Sequence, residues 1–135
     1  MAINKETKSL GMPWEKEYGY AQAVKVGDTI YVSGQVSHDE EGNIVGLKDM
    51  EAQMRQAYTN IQKILAQYGA TMDNVVDEVL YVTDMDTAFA AAVKCRREIF
   101  SGHPVVASTI VQIQRLAFHE LMIEIRCVAK LDPSL

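Results

Sequence analysis

Tyr20, Ser33 and Glu124, together with the backbone at Gly34, are the groups in this chain whose types and settings could do chemistry together. Glu124 stands in an alternating run. Leu121, Ile123, Ile125, Cys127 and Ala129 take one face of a strand, and Met122, Glu124, Arg126 and Val128 take the other. A carboxylate among apolar neighbours is costly to ionise, which raises its pKa and suits a general acid or base. The same alternation also allows a Glu124–Arg126 pair on a subunit interface. Tyr20 follows Gly19 at the start of a strand, where its phenol could orient a carbonyl or imine, or simply pack half buried. Ser33-Gly34-Gln35 closes the next strand. A glycine there lets a ligand or another chain approach the backbone. The adjoining N–H and hydroxyl make a small site for a carbonyl or carboxylate oxygen, and a plain β-bulge or turn would use the same residues.

The elements that must hold these groups follow from spacing. Residues 20–26 and 29–35 read as a hairpin broken at Gly27-Asp28. Asp49 predicts a helix N-cap, and Met54, Ala57, Ile61, Ile64, Leu65 and Tyr68 form one helical stripe that ends at Gly69. Residues 74–82 are a β-branched run with both parities apolar, as in an interior strand covered on both faces. Asp84 or Asp86 caps a second helix, with Phe89, Ala92, Val93, Ile99 and Phe100 inward, ending at Ser101-Gly102-His103-Pro104. Residues 107–114 and 121–130 are the last strands. Residues 1 to about 17 read as irregular, broken by Gly11 and Pro13, with Trp14 expected to pack on the core or a neighbour. The order is β-β-α-β-α-β-β, an α+β two-layer sandwich in a single domain spanning 1–135, with both helices on one sheet face. The second sheet face then meets solvent or another subunit.

Composition excludes several classes. Thirteen basic against eighteen acidic residues give a net charge of −5, a poor match for polyphosphate, so no nucleic-acid partner is expected. The Lys94, Arg96 and Arg97 cluster reads as the wet face of a helix. Cys95 and Cys127 lack any CxxC or metal-ligand spacing, and reduced thiols in a cytoplasmic setting are expected. His38, His103 and His119 show no HxH or HxxxH spacing, so no metal is expected. No GxGxxG, P-loop or GxSxG elbow is present, and no cofactor is expected. No run approaches the ~18 apolar residues of a membrane span, and Asn4, Lys5, Glu6 and Lys8 are too polar for a signal peptide.

Several pieces along the chain resemble one family. They are Gly19-Tyr20 with Gln22, Val26-Gly27-Asp28, Ser33-Gly34-Gln35, Glu51-Ala52-Gln53 with Arg55-Gln56, Tyr68-Gly69-Ala70, Val82-Thr83-Asp84-Met85-Asp86, and Ile123-Glu124-Ile125 with Val128-Ala129. From about Tyr20 to Ala129 the chain is similar to the RidA family, also called YjgF or L-PSP, small hydrolases of reactive enamines and imines. The resemblance implies a chorismate-mutase-like fold, a homotrimeric barrel of three sheets, and a small-molecule cleft at each interface. It assigns Tyr20, Gly34 and Glu124 to that cleft, with Ser33 beside Gly34. The deaminase members also carry an arginine that anchors the substrate carboxylate by a bidentate pair. Counting back from Arg115-Leu116 puts it at Ser108, and one loop insertion moves it to Ala107. An asparagine of the second helix falls on Val93. The resemblance therefore implies a retained cleft with altered ligand preference, in which Ser108 and Thr109 contact the far end of the ligand and Arg115 or His103 could stand in for the cation. A non-catalytic, metabolite-binding trimer is the alternative.

Overall fold

Two long helices anchor the structure. The computed structural model describes residues 2–100 and 106–132. The Asp49 carboxylate accepts the Ala52 N–H at 3.1 Å and starts α2 (Met50–Ala66), whose Met54, Ala57, Tyr58, Ile61, Ile64 and Leu65 are buried. Asp84, not Asp86, caps α3 (Met85–Ile99) by accepting the Thr87 N–H at 3.1 Å. Its inward stripe is Ala88, Ala91, Ala92 and Cys95. Phe89, expected inward, is 57% exposed, because it lies one residue, about 100° of helix, away from that stripe. The expected end of this helix at 101–104 lies outside the described residues.

The helices pack on one mixed sheet of order β1-β2-β3-β6-β4-β5, with β1 Glu6–Lys8, β2 Ala23–Val26, β3 Thr29–Gln35, β4 Val75–Val82, β5 Ala107–Gln112 and β6 Ile123–Lys130. Only β4 and β5 run parallel, joined across α3. Ile30, Val32, Leu80, Val82, Ile123, Ile125, Cys127 and Ala129 point to the helices and are almost fully buried. Each such large aliphatic contributes about 1.5–3 kcal/mol by leaving water. The α+β architecture is as the sequence implied, with strands a few residues shorter.

The first 17 residues are not irregular. Residues Glu6–Lys8 pair with β2 as an edge strand, and Pro13–Tyr18 form a short helix α1. Pro13 opens it at the position where a missing N–H costs nothing, and Gly19 closes it in a left-handed conformation (φ 75°). A short helix held by one carboxylate leaves no hydrophobic period to read.

Two β-bulges set which side chains face inward. Along β3, Val32 pairs with Cys127 and Gln35 with Ile125, so Ser33 and Gly34 together oppose the single residue Arg126. Val32 and Gln35 can then both point to the core. Along β4, Val76 is the extra residue between Val75 and Asp77, which turns Glu78 rather than Asp77 inward. Among the described residues of one chain nothing covers the second sheet face. Tyr31, Val76 and Val111 are 44%, 44% and 40% exposed.

Candidate functional site

The β3 bulge and the start of β6 build the site. Glu124 lies on the open sheet face, paired with Tyr81 of β4, and its carboxylate lies flat over Gly34. A Cβ added at Gly34 would sit 2.5 Å from the Glu124 carboxyl carbon and 2.6 Å from an oxygen. No side chain larger than hydrogen fits beneath the carboxylate without moving it, which is the physical reason for a glycine here. Burial raises the Glu124 pKa above the ordinary carboxylate value. No hydrogen bond or ion pair to Glu124 is made among the described residues, and Arg126 two residues along forms none with it.

Tyr20 is the second member. Its N–H donates to the Glu15 carbonyl at 3.0 Å, so the end of α1 delivers it directly. Burial raises the phenol pKa, opposed by hydrogen bonding from Trp14 and Gln22 and assisted by the Glu15 and Glu124 charges. A hollow of about 280 Å³ borders Tyr20 on the α1 side, lined also by Thr7, Lys8, Ser9, Glu15, Lys16 and Ala21. Ser33 is engaged within the chain. Its hydroxyl donates to the Ala21 carbonyl at 2.7 Å and its N–H to the Gln22 carbonyl at 2.8 Å, tying the bulge to the Tyr20 strand.

Ser108 and Thr109 part company. In the β4–β5 register Ser108 faces Glu78 and Thr109 faces Val79. Ser108 therefore points to the helix side, where its hydroxyl donates to Glu78 Oε2 at 2.6 Å and accepts from Arg96 at 3.3 Å. Within one chain it lies on the opposite face of the sheet from Glu124. Thr109 and Ala107 lie on Glu124's side of the sheet, with Val79 and Asp77 between them and β6. Of the two positions expected for the absent arginine, only Ala107 has the right face. Val93 sits partly buried on α3. Arg115 is spent on its own loop, donating to the Leu116 and Ala117 carbonyls and to His119 Nε2, each at 3.1 Å. His103 lies outside the described residues.

The sequence reading missed the support behind Tyr20. Glu15, 8% exposed, accepts from the Ser9 hydroxyl (2.7 Å), the Leu10 and Met12 N–H groups (3.1 and 3.0 Å) and Gln22 Nε2 (3.2 Å). Gln35 Nε2 donates to Gln22 Oε1 at 2.6 Å and to the Ser33 carbonyl at 3.1 Å. The available signal was the pair Gln22 and Gln35, amides at positions where strands bury apolar residues. Trp14 meets His38 edge-on, ring centroids 5.0 Å apart. Among the described residues no cluster of three or more His, Cys, Asp or Glu could hold a metal, and no helix is long and apolar enough to cross a membrane.

Glu124, partly buried and without a hydrogen-bond or ion-pair partner among the described residues, thus lies over the strand-end Gly34 on a two-layer α+β frame. The chain belongs to the RidA/YjgF/L-PSP family: the model described as Endoribonuclease L-PSP matches residues 14–131. It is 33% identical over 115 residues to the RutC family protein YjgH of Escherichia coli, covering 85% of each chain. It is 30% identical over 91 residues to a 2-iminobutanoate/2-iminopropanoate deaminase of Dermatophagoides farinae, covering 67% of this chain and 70% of that one. The crystal structure of Rv2704 from Mycobacterium tuberculosis, of the YjgF/YER057c/UK114 family, superposes with a TM-score of 0.81 at 26% identity, covering 95% of this chain and all of that one.

Proposed function

We propose that this protein hydrolyses a small reactive imine or enamine, or a related carbonyl-type metabolite, that carries no carboxylate at the anchoring position. The observation that carries this reading is Glu124: half buried, raised in pKa, and without a hydrogen-bond or ion-pair partner among the described residues. In the reaction Glu124 takes a proton from water as the oxygen attacks the C=N carbon. It returns that proton to nitrogen in the resulting carbinolamine. Glu124 then takes the carbinolamine hydroxyl proton and passes it to the amine nitrogen as the C–N bond breaks, giving ammonia and a carbonyl with the carboxylate restored. A carboxylate with a raised pKa suits both proton transfers near neutral pH. Imines already hydrolyse in water, so one oriented water and one base suffice. The deaminase name of the Dermatophagoides relative supports the reaction class.

The protein works as a homotrimer in this reading, its open sheet face turned to its neighbours and the cleft finished by a second subunit. The support is the uncovered face with Tyr31, Val76 and Val111. Light scattering at micromolar concentration should give three times the 15.1 kDa chain mass; a monomer would refute this assembly. Free, buried Cys95 and Cys127 suit a reducing cytoplasm, with no cofactor and no nucleic-acid partner.

A non-catalytic metabolite-binding trimer is favoured by one observation: Ala107 and Thr109 bring no cation to Glu124's side. The deciding experiment measures ammonia release from a panel of freshly generated neutral and acidic imines, with Glu124→Ala as the control. Release above the uncatalysed rate that vanishes in the variant supports the enzyme. Unchanged release in the variant refutes it.

A further inference from the structure

A hollow at the end of the sheet adjoins Glu124. Past the Val82–Ile123 pair, the Thr83 N–H donates to the Met122 carbonyl at 3.0 Å and carries the β4–β6 ladder one pair further. By alternation Thr83 and Met122 share a face with Tyr81 and Glu124, about 7 Å along the strands. Both line a hollow of about 580 Å³, together with Leu47, Lys48, His119 and Glu120. A volume of that order suits a small organic ligand.

The walls are held from inside. The Gln53 side chain, fully buried on α2, donates to the Gly46 carbonyl at 3.1 Å and to the Glu120 carbonyl at 2.9 Å, and accepts the Met122 N–H at 2.8 Å. One amide thus ties the 46–49 loop to the 119–122 turn. The Asp49 N–H closes that loop on the Gly46 carbonyl at 3.0 Å. Inside it lies Lys48, left-handed at φ 60° although it is not a glycine. Such strain persists where the surroundings impose it, and it gathers at ligand clamps. The Lys48 ammonium makes no hydrogen bond or ion pair among the described residues, not even with Glu120 in the same hollow.

His119 is set by its own loop. A guanidinium has only donors, so His119 Nε2, 3.1 Å from Arg115 Nη1, accepts, and Nδ1 carries the ring proton. The hollow then offers an ammonium and an N–H beside the apolar Leu47 and Met122, with the Arg115 charge behind the imidazole. Glu120 is the one anion in its lining, and it disfavours a ligand with two negative charges.

We propose that this hollow is a carboxylate subsite of the Glu124 site. Lys48 and His119 Nδ1–H hold the carboxylate, Leu47 and Met122 cover an apolar chain, and the reacting end lies over Glu124. The substrate class is then an imine or enamine whose carboxylate is separated from the C=N carbon by an apolar chain, not an α-imino acid. This rests on the reading of Glu124 as the reacting base. It adds that the loop ahead of α2 supplies the cation that β5 lacks.

The test uses the full-length protein and hexanoate, a carboxylate with an apolar chain and no C=N bond. Binding near neutral pH is followed by calorimetry and by ¹⁵N-histidine spectra, with the His119 signals assigned through His119→Ala. Before ligand is added, His119 shows a protonated Nδ1 and a bare Nε2; the opposite tautomer overturns the donor assignment. Hexanoate shifts the His119 signals saturably, and its methyl group gives Overhauser contacts to the Tyr81 ring. Hexanamide, the neutral isostere, binds roughly ten- to a hundred-fold more weakly, as expected for a lost charge-assisted hydrogen bond. Adipate is also weaker than hexanoate, because its second carboxylate meets Glu124. Lys48→Asn, which keeps a residue tolerant of the left-handed conformation, weakens hexanoate by the same factor as the change to hexanamide. Equal binding of hexanoate and hexanamide, or unchanged binding in Lys48→Asn, overturns the subsite. Binding without contacts to Tyr81 separates the hollow from the Glu124 site and overturns the link. Ammonia release is measured in parallel from a neutral imine and from an imine with a chain-end carboxylate. No release from either, with hexanoate bound as described, rejects the proposed hydrolysis and leaves the subsite standing.

Discussion

Two glutamates on opposite faces of the same sheet show how one residue type serves two ends. Glu78 points to the helices and is 1% exposed. Tyr58 donates to it at 2.7 Å, Ser108 at 2.6 Å, and Arg96 lies 3.7 Å away. Its charge is paired with Arg96 and each of its oxygens accepts a hydrogen bond. Glu124 is only half buried and has no such partner. A carboxylate whose neighbours satisfy it is structural. One held short of satisfaction keeps its capacity for a proton or a water. Under the proposed function it is the missing partners of Glu124, not greater burial, that mark the functional group.

The largest expected difference is catalytic. Glu124→Gln should lower imine hydrolysis by about 10²–10⁴-fold, the range for loss of a general base, while the thermal midpoint holds or rises, because a buried charge has been removed. A marked fall in the melting temperature with activity retained would reverse the roles assigned to the two glutamates.

Glu78→Ala should do the opposite. Tyr58 and Arg96 lose their acceptor in a buried setting, at a cost of about 3 kcal/mol, read as a lower denaturant midpoint with the slope unchanged. The activity per folded molecule should stay within about threefold.

The two faces also separate neighbouring substitutions on β5. Ala107→Arg places a cation on Glu124's side and should raise turnover of 2-iminopropionate by roughly ten- to a hundred-fold, the worth of a charge-assisted hydrogen bond. Ser108→Arg sends the guanidinium toward Glu78 and Arg96 and should give no gain. Equal gains at both positions would mean that the β4–β5 register does not set which group reaches the ligand. The unmodified protein should be slow on this anionic imine, and a rate matching that of an arginine-bearing relative would discard the argument from the absent cation.

The smallest effect is on stability against pH. Burial raises the folded-state pKa of Glu124 above its unfolded value, so the folded chain holds this proton more tightly. The associated stability is present below the ordinary carboxylate pKa and is lost as pH rises through the raised one. Glu15, held down, contributes with the opposite sign: its stability is present above the ordinary pKa and is lost as pH falls through the lowered one. Urea midpoints of Glu124→Gln and wild type should converge below the ordinary carboxylate pKa and separate above it, with the variant the more stable. No change of the difference with pH would mean that Glu124 is solvated.

The sequence by itself determined the two long helices, the β-branched strands and the alternation that sets Glu124 apart from Ile123 and Ile125, because periods of 3.6 and 2 are written directly in the order of apolar residues. It also carried Tyr20, Gly34 and Glu124 as a set, through their family resemblance. It did not carry the N-terminal helix, which is held by one carboxylate, Glu15, collecting donors from residues six positions before it to seven after. Nor did it carry the facing of β5. Ala107 and Ser108 are adjacent in the chain, and only pairing with Val75–Val82, after a bulge at Val76 has shifted that strand's parity by one, sends Ser108 to Glu78 and Ala107 to Glu124's side. A bulge changes every later facing without changing local composition, so no pattern within one strand records it. The Ser33-Gly34 bulge is the same case: its residues were visible, but Glu124's carboxylate lying over Gly34 is a contact across ninety positions of chain that only the β3–β6 pairing creates.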